Sequence, residues 1–273
     1  VSTATTSYLG WNRFTNACDV SEPLVVFEPP ASGTFPVFIY AVGTNTIVTE
    51  IEARYVARHM AQRGFVAAVM HYETNVLTTG CASLVQKADC SYSSARPSSA
   101  TSVLCARPRA NCARGILSAG FSQGGTMAVL ARNFDTRVRA VWAMSVAGGI
   151  STNAATACLV SAQTAIADDR MRIVNGRSGQ TQPVSNLQNM TGTTCLDTDH
   201  SCLRANGSGW YMVEHAEVQD GLADHCFFVA LTDGGTMPCN YFDESWDPGW
   251  AVPAQTPWSV NVSLDWLAGF ADP

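Results

Sequence analysis

The chain has 273 residues, of which 47% are apolar and only 14% charged, against about 25% charged in an ordinary globular protein. That balance excludes intrinsic disorder and allows a large buried core. The net charge is -6, and the single lysine, Lys87, stands among scattered arginines, so no nucleic-acid footprint or polybasic membrane patch is present. The longest apolar run, Phe35 to Gly43, is far short of the ~20 residues of a membrane span.

Leu24 to Phe27 reads as a short strand closed by Pro29 and Pro30. Phe35 to Val42 is a stronger one, nearly all apolar, as in a sheet covered on both faces. Thr49 and Glu52 have capping-box spacing and open a helix. Ile51, Tyr55, Val56 and Met60 share one face of that helix, and Gly64 stops it. Phe65 to His71 is the next buried strand. Strand, helix, strand at this spacing is a βαβ unit, which requires a parallel sheet. The pattern continues with a strand at Gly115 to Ala119, a helix at Gly124 to Phe134 and a strand at Val138 to Val146. A helix at Ala154 to Ala167 and strands at Met171 to Asn175 and Trp210 to Val218 follow. About seven strands with helices between them predict one doubly wound α/β domain over residues 1–273.

Two segments break the pattern. Residues 73–112 are rich in Ser, Ala, Arg and Cys and read as an insertion. Residues 241–258 carry Trp246, Trp250 and Trp258. Such stretches serve as lids or binding loops, or are surface loops held down by disulfides. The tryptophans either line a cleft or cover the sheet edge.

Ten cysteines without a C-x-x-C spacing read as disulfides in a secreted protein rather than a zinc or redox site. Local spacing offers the pairs Cys81–Cys90, Cys105–Cys112, Cys195–Cys202 and Cys226–Cys239, leaving Cys18 and Cys158. A first residue Val1 is what leader removal or trimming leaves. Asn189, Asn206 and Asn261 stand in N-x-S/T sequons.

Gly120-Phe121-Ser122-Gln123-Gly124 matches G-x-S-x-G between a predicted buried strand and a predicted helix. A nucleophile elbow requires that setting. The turn lifts the serine oxygen above the sheet, and the helix N-terminus beneath it offers N–H groups and a positive dipole end to an oxyanion. At these residues the chain resembles the α/β-hydrolase superfamily, and Gly-Phe-Ser-Gln-Gly is similar to the elbow of cutinases and related secreted esterases.

The resemblance implies the α/β-hydrolase fold, with helices on both faces of a mostly parallel sheet. It implies Ser122 as nucleophile and a later histidine as base. Of the five histidines, His225 follows the last predicted strand, where the superfamily places its base, and His215 is the next candidate. His59 reads as a surface residue and His71 as structural. The oxyanion donors implied are the backbone N–H groups of Gln123 and of Gly43 or Thr44. No cofactor and no metal are implied.

The acid departs from the pattern. The loop after Met171 to Asn175 contains no carboxylate, and neither does the loop from Val146 to Asn153. Asp168 and Asp169 precede the strand. Asp197, Asp199, Glu214, Glu217, Asp220 and Asp224 lie further along. Either the acid comes from an unusual position, or Asn175 or a carbonyl orients the histidine, or the protein is a weak or inactive relative.

The reading is a secreted monomeric serine hydrolase that cleaves small or polymeric carboxylic esters through an acyl-enzyme. A binding protein on the same scaffold, a serine amidase or peptidase, and a metal-dependent hydrolase built on His200, Asp197 and Asp199 are the alternatives.

Overall fold

The computed structural model describes residues 1–74, 80–146, 157–177, 184–196, 199–218, 223–227 and 256–272. Asn153, Asp197, Asp220, Cys239, Trp246 and Trp250 lie outside the described residues. A nine-stranded sheet organises the described residues, in the order β1-β2-β4-β3-β5-β6-β7-β9-β8. Its strands are β1 (Ser2–Asn12), β2 (Ala17–Glu28), β3 (Val37–Ala41), β4 (Val66–Met70), β5 (Ile116–Phe121), β6 (Val138–Met144), β7 (Met171–Gly176), β8 (Ser201–Leu203) and β9 (Gly209–Val213). From β4 through β3, β5, β6 and β7 to β9 all neighbours are parallel, and only the edge pairs β1–β2, β2–β4 and β8–β9 are antiparallel.

The helices are α1 (Ile51–Gln62), α2 (Cys81–Tyr92), α3 (Ala100–Cys105), α4 (Gln123–Phe134), α5 (Val184–Thr191) and α6 (Val260–Ala268). α1 packs on β3, β4 and α6, while α4 packs on β3, β5, β6 and α2. The sheet is therefore covered on both faces, as the continuous apolar strands require. Every residue of β3, β4 and β5 is buried. This is the doubly wound, mostly parallel α/β class expected.

Several elements differ from the sequence expectation. β1 was not anticipated, because its Ser- and Thr-rich start is exposed and carries no apolar run; it is held by pairing with β2 along its whole length. α1 starts at Ile51 with Glu50 at its N-cap and no side-chain cap, so Thr49 and Glu52 form no capping box; Glu52 is buried instead. The helix expected at 154–167 is replaced, within 157–167, by short 3-10 turns at Ala157–Leu159 and Ser161–Gln163. β9 ends at Val213, and His215–Glu217 forms a 3-10 turn rather than strand.

The segment 73–112 contains α2 and α3, and α2 is the crossover helix between β4 and β5. Leu84, Lys87, Ala88 and Ser91 form its buried face, at helical spacing.

Two disulfides fall as the local spacing offered, Cys105–Cys112 and Cys195–Cys202. The pair Cys81–Cys90 is corrected: Cys90 bonds Cys18 and Cys81 bonds Cys158. Both cysteines stand on one helix, and each reaches a distant segment rather than the other. Cys226 is also disulfide-bonded. The bridges Cys18–Cys90 and Cys81–Cys158 close 72 and 77 residues of chain. Loop-closure entropy at that length is worth about 4 kcal/mol. A Cys18→Ser, Cys90→Ser double variant is expected to lose stability of that order in a denaturant titration.

Candidate active site

β5 runs buried to Phe121 and α4 opens at Gln123, so Ser122 alone reverses the chain. It does so at φ 55° and ψ -121°, outside the regions an L residue favours. Such backbone costs of order 1–3 kcal/mol and persists where its surroundings over-determine it. Here Ser122 N donates to Met144 O of β6 at 2.8 Å, and Thr126 N donates to Ser122 O at 3.1 Å. A Cβ on Gly120 would lie 2.4 Å from the carbonyl carbon of Gly124, and one on Gly124 would lie 2.2 Å from Ala41 O. The two flanking glycines are therefore demanded by close backbone approach, with α4 pressed against the ends of β5 and β3.

His225 comes to this turn from the loop beyond β9. Its Nε2 lies 3.0 Å from Ser122 Oγ, across 103 positions of sequence. The ring also packs against Phe121, with centroids 5.2 Å apart. Both Ser122 and His225 are buried, at 5% and 8% exposure. Several contacts hold the histidine segment. Ala223 N donates to His215 Nδ1 at 3.1 Å, so His215 supports the loop. Cys226 is buried and disulfide-bonded. Phe227 meets the Trp258 ring edge-on at 5.9 Å. A Cβ on Gly176 would fall 2.3 Å from Asp224 O, so the end of β7 accepts this segment only because residue 176 is glycine. Trp258 is buried and packs against that segment.

The turn after β3 reaches the same place. A Cβ on Gly43 would lie 3.5 Å from Ser122 Cβ, which sets Gly43 beside the serine. Gln123 Nε2 donates to Thr44 Oγ1 at 3.4 Å. Thr46 Oγ1 donates to Gly43 O at 2.9 Å, and Asn45, at φ 56°, donates its N–H to Thr74 O at 3.1 Å. The structure thus brings Gly43, Thr44, Ser122, Gln123 and His225 together at the C-terminal edge of the parallel strands.

It brings no carboxylate to His225 among the described residues. His225 Nδ1 is buried with no hydrogen-bond partner there. Burial holds the imidazole down at about 4. Asn175 does not reach the ring: its Oδ1 accepts from Val146 N at 2.9 Å, and its Nδ2 donates to Val146 O at 3.4 Å. Asp224 Oδ1 accepts from Cys226 N at 2.6 Å. Glu214 accepts from Arg177 Nε at 2.9 Å, and Glu217 accepts from Tyr211 OH at 2.7 Å. Asp168 and Asp169 stand at the N-terminal end of β7, the far edge of the sheet.

The remaining histidines lie elsewhere. His59 stacks on Tyr55, His71 Nδ1 pairs with Glu22 at 2.5 Å, and His200 contacts the Tyr211 ring edge-on. Asp199 Oδ2 accepts from Leu196 N at 2.9 Å. Among the described residues no group of three His, Cys, Asp or Glu side chains is placed to hold a metal ion. Nor is any described helix long and apolar enough to cross a membrane.

Sequence reasoning passed over two residues at this edge. Gly176 has no motif around it. Lys87 did carry a signal, as the single lysine of the chain.

No family model matches the chain, and no curated protein matches it. Solved structures similar to it include the alpha/beta hydrolase GrgF from Penicillium sp. sh18, at 16% identity over 54% of this chain and 46% of that one, with a TM-score of 0.40. The chain thus matches about half the length of that protein. Est1E from Butyrivibrio proteoclasticus aligns at 12% identity over 77% of this chain and 87% of its own, with a TM-score of 0.46. A lipase/esterase from Lactobacillus plantarum aligns at 14% identity over 69% and 83%, with a TM-score of 0.46.

Proposed function

We propose that this chain is a serine hydrolase of the α/β-hydrolase superfamily that cleaves carboxylic esters through an acyl-enzyme on Ser122. The observation that carries this reading is the 3.0 Å contact between Ser122 Oγ and His225 Nε2 on a strained strand-to-helix turn. A free serine hydroxyl is a weak nucleophile at neutral pH, and a neutral imidazole within hydrogen-bond reach activates it. His225 Nε2 takes the serine proton as Oγ attacks the ester carbonyl carbon. Backbone N–H groups of Gln123 and of Gly43 or Thr44 receive the oxyanion. The ester C–O bond then breaks, and the imidazolium gives its proton to the departing alcohol. Water enters by the same route in reverse and releases the acid.

The substrate class rests on chemistry of the whole chain. An apolar, weakly charged composition favours esters over charged peptides. The paired cysteines fit an oxidising, extracellular setting, as for the secreted cutinase-type esterases that the serine turn resembles. A second reading, a binding protein on the same scaffold, is favoured by one observation, the unpartnered Nδ1 of His225 among the described residues.

The test is reaction with a fluorophosphonate, followed by peptide mass mapping, beside turnover of p-nitrophenyl esters from acetyl to palmitoyl. The expected result is one adduct on Ser122 and ester turnover that the adduct abolishes. The acyl-length profile then separates a short-chain esterase from a lipase. No adduct and no turnover of any ester would leave the binding scaffold.

A further inference from the structure

Lys87 is buried to 1% exposure on α2. Burying an ammonium costs several kcal/mol unless its donors are satisfied. Its Nζ donates to Glu73 O at 2.6 Å and to Gln123 Oε1 at 2.8 Å. It also lies 5.7 Å from the Trp11 ring centroid and 5.5 Å from that of Tyr72. A lysine only donates, so it fixes which end of the Gln123 amide faces it. The amide nitrogen is thereby turned to Thr44, where Nε2 donates to Oγ1. α2 is held on either side of Lys87 by the disulfides at Cys81 and Cys90.

We propose that Lys87 is a positioning residue for the oxyanion hole, gripping Gln123 and, through its amide, Thr44, with a fixed positive charge behind the oxyanion. The inference rests on the serine-hydrolase reading. In this chain of contacts each hydrogen bond polarises the next. The backbone donors of residues 123 and 43–44 come from two separate elements, the start of α4 and the turn after β3. A tether between the two side chains keeps their spacing matched to the transition state rather than to the ground state.

Among the described residues, the charged and titratable groups facing Lys87 include Glu73 and Tyr72 after β4, Arg13 in the β1–β2 turn, and Glu22 of β2 with its partner His71. Burial pulls the ammonium down to about 8, with Glu73 opposing, Arg13 adding to the fall and Glu22 opposing. The charge behind the hole is therefore present at neutral pH and lost above about 8.

The test compares parent, Lys87→Met, Gln123→Met and the double variant on a p-nitrophenyl ester from pH 6 to 10. The expected kcat loss at pH 7 is about 10- to 100-fold in each single variant, with KM within about threefold. The double variant is expected to lose no more than Lys87→Met alone, because removing the lysine already takes both the tether and the charge. The parent kcat is expected to fall above pH 8 toward the Lys87→Met level, and that alkaline limb is absent from Lys87→Met. Circular dichroism checks folding. If Lys87→Met misfolds, Gln123→Met carries the test, since it keeps the backbone N–H and the lysine. A kcat within twofold of parent, or an alkaline limb that survives in Lys87→Met, overturns the role of Lys87 while the Ser122 reading stands. A parent that neither turns over esters nor labels at Ser122 overturns the Ser122 reading itself, and this inference with it.

Discussion

Replacing Ser122 by Ala is expected to lower ester turnover by about 10⁴-fold or more and to leave the fold intact. The size follows from chemistry, because the variant has no oxygen to acylate, and water attacking directly gains only what the oxyanion hole and binding supply. The fold survives because the Ser122 contacts that shape the turn are made by its backbone N–H and C=O. A Cβ at φ 55° remains in the alanine variant, so its stability should match the parent closely. Ser122→Gly separates strain from chemistry. Glycine adopts positive φ without penalty, so this variant should be inactive yet more stable by about 1 kcal/mol in a denaturant titration. Stability that falls in Ser122→Gly would mean the turn is not strained. Undiminished turnover in Ser122→Ala would remove the nucleophile altogether.

The centre of the fold was legible because its strands report burial directly. Phe35 to Val42 and Phe65 to His71 are apolar at nearly every position, and only a sheet covered on both faces asks for that. The serine turn was legible for a related reason. Gly120 and Gly124 are fixed by backbone-to-backbone approach, and only glycine meets that demand. What stayed hidden depends on partners distant in sequence. β1 is a strand because β2 lies beside it, and its own residues are mostly polar. The segment 73–112 read as an insertion because Ser, Ala and Cys mask the spacing of Leu84, Lys87, Ala88 and Ser91. The disulfides Cys18–Cys90 and Cys81–Cys158 follow where α2 sits in space, which local spacing does not encode. Placing His225 after the last strand required only element order. The support of its loop by His215 and by the bare backbone at Gly176 appears only once β7 and β9 are side by side.

His225→Ala is expected to lower turnover about as far as Ser122→Ala, and the double variant no further, because the two side chains act as one unit. The pH profile of the parent carries more information than the variant. Burial lowers the imidazole to about 4, and no described carboxylate opposes this. The active form has the neutral ring, so kcat/KM should be flat from about pH 7 down to pH 5 and fall with a midpoint near 4. Stability should follow the same group. Its pKa is about 6.5 in the unfolded chain and lower in the folded one, so protons bind the unfolded state first as pH falls. Stability is then full above pH 6.5 and declines between about 6.5 and 4, by roughly 3 kcal/mol from this group. A carboxylate bonded to Nδ1 would favour the charged ring and move the midpoint of kcat/KM up to about 7. It would also remove the acid loss of stability from this group. The pH–rate profile and the denaturant titration must therefore shift together: both low for a histidine without an acid, both high for a complete triad.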